Sequence, residues 1–311
     1  MAANYWESSQ RRCWQFSKDE LAQMREKLEE SEQNLVHMFP LPQQRHLSIF
    51  FNQQLNKLGK RLGVRQQALA TAQIYLKRFY CKVEIRRTNP YLVIATSLYL
   101  ACKMEECPQH IRLVVSEARS IFPTEYLVME LSRLGECEFF MISEMHSQLI
   151  VHQPYRTLSS LQTEFLLSQD EINLAQSVIN DHYMTDLPLL YPPHIIALTA
   201  ILLALVLRPN TTPGGTTANV AAVAGVLAQA QAQARQGGNP APSEREKQQD
   251  PRATKIHRYA SFLTESNVDI EGMVDCTQEL ISFYECHEQY NDKITREQIH
   301  RFVKARGLDK P

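Results

Sequence analysis

The chain has 311 residues, of which 44% are hydrophobic, and this is enough apolar material for the cores of about two domains. Its formal net charge is -1, which excludes a global field that would recruit nucleic acid or an anionic membrane. The seven cysteines are scattered without a C-x-x-C pair, a pattern typical of a reduced nuclear or cytosolic compartment.

The N-terminal region contains an aromatic segment and then a charged helix, and it lacks the apolar run of a signal peptide. Trp6 and Trp14 stand among polar residues there. They either fold back on this chain or anchor a partner, since Trp is favoured at interface hot spots, and both alternatives stay open. Ser17 with Glu20 forms the S-x-x-E pattern of a capping box, which predicts a helix over residues 17–36.

Helical periodicity next predicts a bundle of five helices, because strand patterns are nearly absent from this half of the chain. In the first of these helices, leucines and phenylalanines recur at helical spacing from Leu47 to Leu62. The predicted helices cover Arg45 to Leu62, Gln66 to Tyr80, Pro90 to Glu106, Ile111 to Ile121 and Pro123 to Phe140.

The third of these helices is apolar or small on every side from Leu92 to Cys102, which predicts a central helix wrapped by the others. Lys103 follows at its C-terminal end, where a cation interacts favourably with the helix dipole. Glu105 and Glu106 come next, and their negative charges are unfavourable at that end. This end is either a docking site or a solvated helix end, and these residues alone do not decide between the two.

The second half of the chain repeats the first at an offset of 103 positions (175 − 72). Seven of thirty ungapped positions are identical in the two halves, where ordinary composition would give about two. The identical pairs are Ala72/Ala175, Gln73/Gln176, Tyr80/Tyr183, Pro90/Pro193, Thr96/Thr199, Leu100/Leu203 and Ala101/Ala204. The repeat predicts two bundles of related design. The apolar run at 195–207 is too short to span a bilayer and is predicted to be a buried helix.

Residues 209–254 interrupt the second bundle with Gly-, Ala- and Gln-rich sequence that contains no aromatic residue. Such a segment buries too little to order itself, so it is predicted to be a disordered insertion. Helices are predicted to resume at about 256–264, 268–288 and 295–306. The predicted organisation is an N-terminal segment (1–42), a first bundle (43–145), a second bundle (146–290) and a C-terminal tail or helix (291–311).

Constellations of catalytic or metal-binding residues are scarce, so the chain is predicted not to be an enzyme and to need no cofactor or metal. A basic set with interleaved aromatic residues could suit nucleic acid, but the balanced charge favours a solvated basic patch. Its members are Lys77, Arg78, Lys82, Arg86 and Arg87.

The stretches QIYLKRFY and TNPYLVIATSLYLACKMEE resemble the cyclin box. The resemblance extends to NYWESSQ, to GECEFFMISEMHSQLIVHQPYRTL and to VINDHYMTDLPLLYPPHIIALTAI, and it is closest to the cyclin C group. It covers nearly the whole chain except residues 209–254, which look like a fungal-type elaboration. It implies an all-α fold of two tandem cyclin-box five-helix bundles, with an N-terminal helical segment and an insertion in the second box.

The resemblance also implies a site. In cyclins a Lys and a Glu on the third and fifth helices of the first box hydrogen-bond a kinase backbone near its αC helix. Lys103 matches the family's Lys, and Glu130 matches the Glu that stands nine residues before Phe139. The apolar rim of the same surface is matched by Leu100, Met104, Leu134 and Phe139. With a kinase as partner, Trp6 and Trp14 are predicted to contact it as well.

The function that the resemblance implies is a nuclear regulatory subunit that activates a Mediator-associated cyclin-dependent kinase acting on RNA polymerase II transcription. Its expected partners are that kinase and other Mediator subunits, with no direct nucleic acid and no membrane. The alternative is a cyclin-fold general transcription factor of the TFIIB type, which would need a zinc ribbon and a basic face. Whether the net effect is activation or repression stays open.

Overall fold

The computed structural model describes residues 4–123, 125, 130–207 and 251–310, and within these ranges the regular elements are helices. The predicted all-α fold is therefore confirmed. The first α-helices are α1 (Ser9–Cys13), α2 (Lys18–Ser31), α3 (Gln33–Met38), α4 (Gln44–Arg61), α5 (Gln66–Tyr80), α6 (Pro90–Met104), α7 (Ile111–Ile121) and α8 (Leu131–Glu144). The later ones are α9 (Tyr155–Leu161), α10 (Gln169–His182), α11 (Leu187–Leu190), α12 (Pro193–Val206), α13 (Pro251–Glu265), α14 (Ile270–Glu288) and α15 (Asp292–Ala305).

The chain divides into two compact units. Unit 1 contains residues 1–153, 183–190 and 282–311, and unit 2 contains residues 154–182 and 191–281. Most of the predicted insertion, residues 209–250, lies outside the described residues, whereas residues 251–254 belong to α13. No helix in the described part of the chain combines the length and apolarity that a membrane span requires.

Helix α6 is the centre of unit 1, as the sequence predicts, and it packs against α4, α5, α7 and α8. Asn89 caps its N-terminus by accepting a hydrogen bond from the Tyr91 backbone, and Pro90 occupies the first turn, where no donor is needed. Ala95 and Ala101 are fully buried, and their small side chains let the neighbouring helices approach closely.

The C-terminal end of α6 is closed by a tight backbone turn of the Schellman type. The Cys107 amide donates to the Cys102 carbonyl oxygen at 3.0 Å, and Glu106 between them has φ +53°. The end of α4 has the same arrangement, but there the left-handed position is occupied by Gly63. A glutamate in that conformation costs about 1–2 kcal/mol relative to glycine.

The predicted capping box at the start of α2 is confirmed, because the Ser17 hydroxyl and the Glu20 carboxylate each accept a hydrogen bond from the other residue's backbone amide. The single helix predicted over residues 17–36 is instead two helices that meet at Glu32. The Ser31 hydroxyl donates to the Leu28 carbonyl at 2.8 Å, and such back-bonding competes with the helical ladder and bends helices.

Two short lengths of distant sequence complete unit 1. Arg25 on α2 makes a two-pronged ion pair with Asp186, both N–O distances being 2.8 Å. Helix α15 buries Phe302 and two neighbours, Ile299 and Val303, in the same hydrophobic core as α4 to α8. The segment predicted as a C-terminal tail or helix is thus a packed part of this unit.

Unit 2 is organised around α12, whose sequence is apolar on every side and which packs against α9, α10 and α13. Helices α10 and α12 begin 103 positions after α5 and α6 (169 − 66 and 193 − 90), so the repeat seen in the sequence is a repeat of helices. Glu171 forms a second capping box with Ser168 and an ion pair with Lys255 at 2.7 Å. The Tyr259 hydroxyl donates to the Leu198 carbonyl and ties α13 to α12.

Candidate functional site

The C-terminal end of α6 and the middle of α8 lie side by side and together form the candidate site. The Lys103 ammonium donates to both carboxylate oxygens of Glu138, at 2.7 and 2.9 Å. It also lies 4.4 Å from the centre of the Tyr99 ring, close enough for a cation–π contact. The Lys103 side chain is 41% exposed and that of Glu138 is 12% exposed, so the cation faces water and the anion lies beneath it.

The electrostatics of this pair keep the lysine charged. Partial burial alone would lower the pKa of Lys103, but the hydrogen bond and charge of Glu138, together with Tyr99, raise it above its ordinary value. A protonated ammonium with three N–H donors is therefore held at the surface in one place. It can offer a hydrogen bond to an oxygen on a partner.

Exposed apolar side chains stand next to both members of the pair in sequence. Met104, next to Lys103, is exposed, and Phe139, next to Glu138, is 76% exposed. A phenylalanine so open to water is unusual, and with Met104 it forms an exposed apolar border, adjacent in sequence to the two members of the charged pair. Leu131 and Phe140 on α8 are exposed as well.

The predicted apolar rim is only partly at the surface. Met104 and Phe139 are exposed, but Leu100 and Leu134 are buried in the core. The reason is helical spacing: Leu134, with Cys137 and Met141, forms the buried stripe of α8. The two leucines therefore support the surface from below and offer no contact area of their own.

Glu130 does not lie beside Lys103. It is exposed and has an extended backbone at the N-cap position of α8, and its side chain makes no capping hydrogen bond there. It precedes Glu138 by eight residues, which is about 12 Å along a helix. The helix predicted to start at Pro123 starts at Leu131 instead, while residues 124 and 126–129 lie outside the described residues. The role of Glu130 in partner binding stays a prediction.

The sequence pattern nevertheless contains a signal for Glu138. It stands one residue after Cys137 and four after Leu134, at the edge of the apolar stripe of α8. A carboxylate in a largely buried position needs a cationic or hydrogen-bonding partner. Lys103 at the end of the central helix is that partner, 35 positions away in sequence.

The acids after Lys103 divide into two kinds. Glu105 accepts hydrogen bonds from the Thr71 hydroxyl and from the Gln67 amide, so it fixes the end of α6 to α5. Glu106 is exposed in its left-handed turn. From sequence, this helix end is either a docking site or a solvated helix end. Glu105 is not simply solvated, because its carboxylate holds α6 against α5.

The two tryptophans have different environments. Trp14 is 1% exposed, with the Arg78 guanidinium 5.1 Å and the Lys82 ammonium 5.7 Å from its ring centre. It belongs to the core, so it offers no surface for the kinase contact predicted for it. Trp6 is 53% exposed, with Arg11 over its ring at 5.0 Å, and its contact with a partner stays a prediction.

The basic set is not a continuous surface. Arg78 is fully buried and donates to the Gln148 carbonyl at 2.7 Å, while buried Arg86 forms an ion pair with Glu84. Arg87 lies 3.4 Å from a carboxylate oxygen of Glu32. Since two of the five cations are inside the core, a nucleic-acid groove at this position is not supported. Among the described residues there is also no cluster of three or more His, Cys, Asp or Glu side chains able to hold a metal ion.

Comparison with known proteins gives relatives that match over their full length. A family model described as the cyclin N-terminal domain matches residues 17–142. Proteins named RNA polymerase II holoenzyme cyclin-like subunit from Neurospora crassa and Gibberella moniliformis are each 63% identical to this chain, with 100% of both chains covered. The protein of the same name from Aspergillus fumigatus is 56% identical, again over 100% of both chains.

Solved structures share the fold at low identity. A chain from the CAK complex of Chaetomium thermophilum bound to ATP-gamma-S has a TM-score of 0.58 and 18% identity, covering 96% of this chain and 88% of that chain. A chain from the yeast TFIIK complex has a TM-score of 0.60 and 16% identity, covering 89% of this chain and 100% of that chain. At such identities the likeness shows the fold alone.

Proposed function

This chain belongs to the cyclin family, and on that premise we propose that it binds and activates a cyclin-dependent kinase of the Mediator kinase module. In that role it is a nuclear regulatory subunit that controls RNA polymerase II transcription. The name shared by its full-length relatives, which places them in the RNA polymerase II holoenzyme, supports this proposal. The other Mediator subunits are further proposed partners.

The observation that carries the proposal is the Lys103–Glu138 pair with its exposed apolar border. Glu138 holds the ammonium from below, and Met104 and Phe139 supply apolar area next to it. An oriented cationic donor within an apolar surface suits a helix end of a partner, where backbone carbonyls lack intrahelical donors. Preorganisation by Glu138 reduces the ordering cost of binding.

Activation follows from selective binding. A protein kinase is active when its αC helix is positioned so that a Lys–Glu ion pair forms over ATP. A partner that binds this arrangement better than the inactive one shifts the kinase population toward it. The helices of unit 1 pack around α6, which is buried along most of its length, and this gives the surface a rigid base for that purpose.

The test is a titration of the kinase subunit with the wild-type chain and with Lys103→Glu. Reversal places a carboxylate where a donor is needed, and loss of one partner from a buried charge pair at an interface costs about 2–5 kcal/mol. The kinase affinity is therefore expected to fall at least tenfold, since about 1.4 kcal/mol corresponds to a factor of ten. Kinase activity should fall in parallel. Lys103→Glu also places a second carboxylate beside the largely buried Glu138, so the melting temperature of the free chain should fall, and the titration is made at a temperature at which circular dichroism shows the variant to be folded.

Lys60→Glu is the matched control. Lys60 is also an exposed lysine in the last turn of a helix of unit 1, so reversal there removes the same favourable interaction with a helix dipole. Lys77 is unsuitable as a control for charge reversal, because its positive charge helps to lower the pKa of Asp186 and so contributes to the fold. Equal affinities for the two lysine variants would move the kinase-binding surface away from α6 and α8. Phosphate transfer by the purified chain without a kinase subunit would overturn the regulatory role altogether.

A further inference from the structure

Two cysteines meet at the turn that closes α6. Cys102 is fully buried, Cys107 is half-buried, and both are free thiols. The Cys107 amide donates to the Cys102 carbonyl at 3.0 Å. Burial raises the pKa of the Cys102 thiol, and the neighbouring Cys107 thiol raises it further. They occupy the two positions of a Schellman turn whose side chains usually make an apolar contact.

The turn brings the backbones of the two cysteines together, which is the first requirement for a disulfide. Two cysteines can be bridged only if their Cα atoms are close and their Cβ atoms point toward each other. The backbone hydrogen bond brings the two residues together, and the effect of the Cys107 thiol on the pKa of Cys102 indicates that the two side chains lie on the same side of the turn. The bridge would close a ring that contains Lys103 and Met104.

The two thiols differ in access. Cys107 is half-buried and can meet a small molecule from solvent, whereas Cys102 cannot. Burial, together with Cys107, raises the pKa of Cys102 to about 12, so this thiol stays protonated at neutral pH. Cys107 is thus the thiol placed to react first, and Cys102 is placed to resolve the product.

We propose that Cys102 and Cys107 form a dithiol that hydrogen peroxide oxidises to a disulfide, and that this controls the kinase-binding surface. The Cys107 thiolate attacks a peroxide oxygen, the O–O bond breaks, and the hydroxide released takes up a proton to leave as water. The Cys102 sulfur then attacks the Cys107 sulfenic acid, an S–S bond forms, and the sulfenic oxygen leaves as a second water with the Cys102 proton. The two sulfurs supply the two electrons that reduce one peroxide.

The link to the surface is mechanical. The sulfurs must approach to a bond length of about 2.05 Å, and the turn between them must absorb the change. Glu105 in that turn is anchored to α5 through Thr71 and Gln67, which limits movement on that side. Lys103 and Met104 lie inside the new ring, so Lys103 is displaced from its position beside Glu138. This consequence rests on the proposed kinase-binding function, whereas formation of the disulfide does not.

The first measurement is chemical and uses the full chain without a kinase. Reduced protein is treated with hydrogen peroxide, remaining thiols are alkylated, and peptides are mapped by mass spectrometry. A linked Cys102–Cys107 peptide, two hydrogens lighter than the reduced pair and restored by dithiothreitol, is expected. Exposed Cys13 is the internal comparison and should appear as a sulfenic acid trapped by dimedone. Absence of the linked peptide at a peroxide dose that oxidises Cys13 would overturn the proposal.

The second measurement is kinase affinity before and after oxidation. Wild type is expected to lose at least tenfold in affinity on oxidation and to regain it with reductant. Cys107→Ala, which keeps an apolar contact in the turn, should bind the kinase with or without peroxide, while Cys13→Ser should behave as wild type. A disulfide that leaves affinity within twofold, or an equal loss in Cys107→Ala, would overturn the control of binding. If the reduced wild type does not bind the kinase, the proposed function fails. The peptide map alone then shows whether Cys102 and Cys107 form a disulfide.

Discussion

Replacement of Trp14 by alanine is expected to destabilise unit 1 by about 3–4 kcal/mol. A buried aromatic side chain removes about 150–250 Å² from water, worth about 4–6 kcal/mol at ~25 cal/mol per Å². Contacts of the ring with the Arg78 and Lys82 cations add to the loss. Against this, the buried Trp14 Nε1 has no hydrogen-bond acceptor among the described residues, so its removal relieves a penalty of about 1–3 kcal/mol.

Urea unfolding followed by circular dichroism measures this effect, with Trp6→Ala as the control. Trp6 is exposed, so its replacement should change the unfolding free energy by no more than about 0.5 kcal/mol. Trp14→Phe keeps most of the apolar area and deletes the unpartnered N–H, so it should cost much less than Trp14→Ala. A Trp14→Ala chain that unfolds like wild type yet no longer binds the kinase would refute the core-packing argument and restore Trp14 as an interface anchor.

Three further perturbations test other parts of unit 1. Glu138→Gln should lower kinase affinity about three- to tenfold in a titration, because Lys103 then has to be ordered on binding; an unchanged affinity would contradict the positioning role of Glu138. Glu106→Gly should stabilise the chain by about 1 kcal/mol in urea unfolding, since glycine relieves the left-handed conformation, and a loss of stability would contradict this. Burial alone would raise the pKa of Asp186, but Arg25 holds it below its ordinary value of 3.8. The stability that this pair contributes is complete above that pH and lost as the pH falls below it. Asp186→Asn should therefore lower the melting temperature at pH 7 and make little difference near pH 2, and a pH-independent difference would oppose this reasoning.

The elements that the sequence predicts well are those encoded locally. Helix α6 is uniformly apolar and opens with proline, so it could only be a buried helix, and its repeat at α12 follows from the same composition. The capping box at Ser17 involves residues three positions apart, which a reader of the sequence can see directly.

The features that the sequence predicts poorly depend on distant contacts. Arg78 belongs to a basic run, and only the return of Trp14 and Gln148 to the same place shows that it is buried. Likeness to a family assigns Leu100 and Leu134 to a surface by position, but exposure depends on which neighbours cover each helix face. The pairing of Lys103 with Glu138 likewise requires knowledge of how α6 and α8 align.

The assembly of unit 1 from three separate lengths of chain has a consequence during protein synthesis. Its core needs Phe302 and its neighbours on α15, which leave the ribosome about 140 residues after residue 153 (292 − 153). At ~5–20 residues per second, that interval is on the order of ten seconds. Throughout it, the apolar faces that later receive α15 are open to water, which makes the nascent chain a client for chaperones. A premature stop codon anywhere before α15 would leave Lys103 and Glu138 present in sequence but carried on an unfinished core.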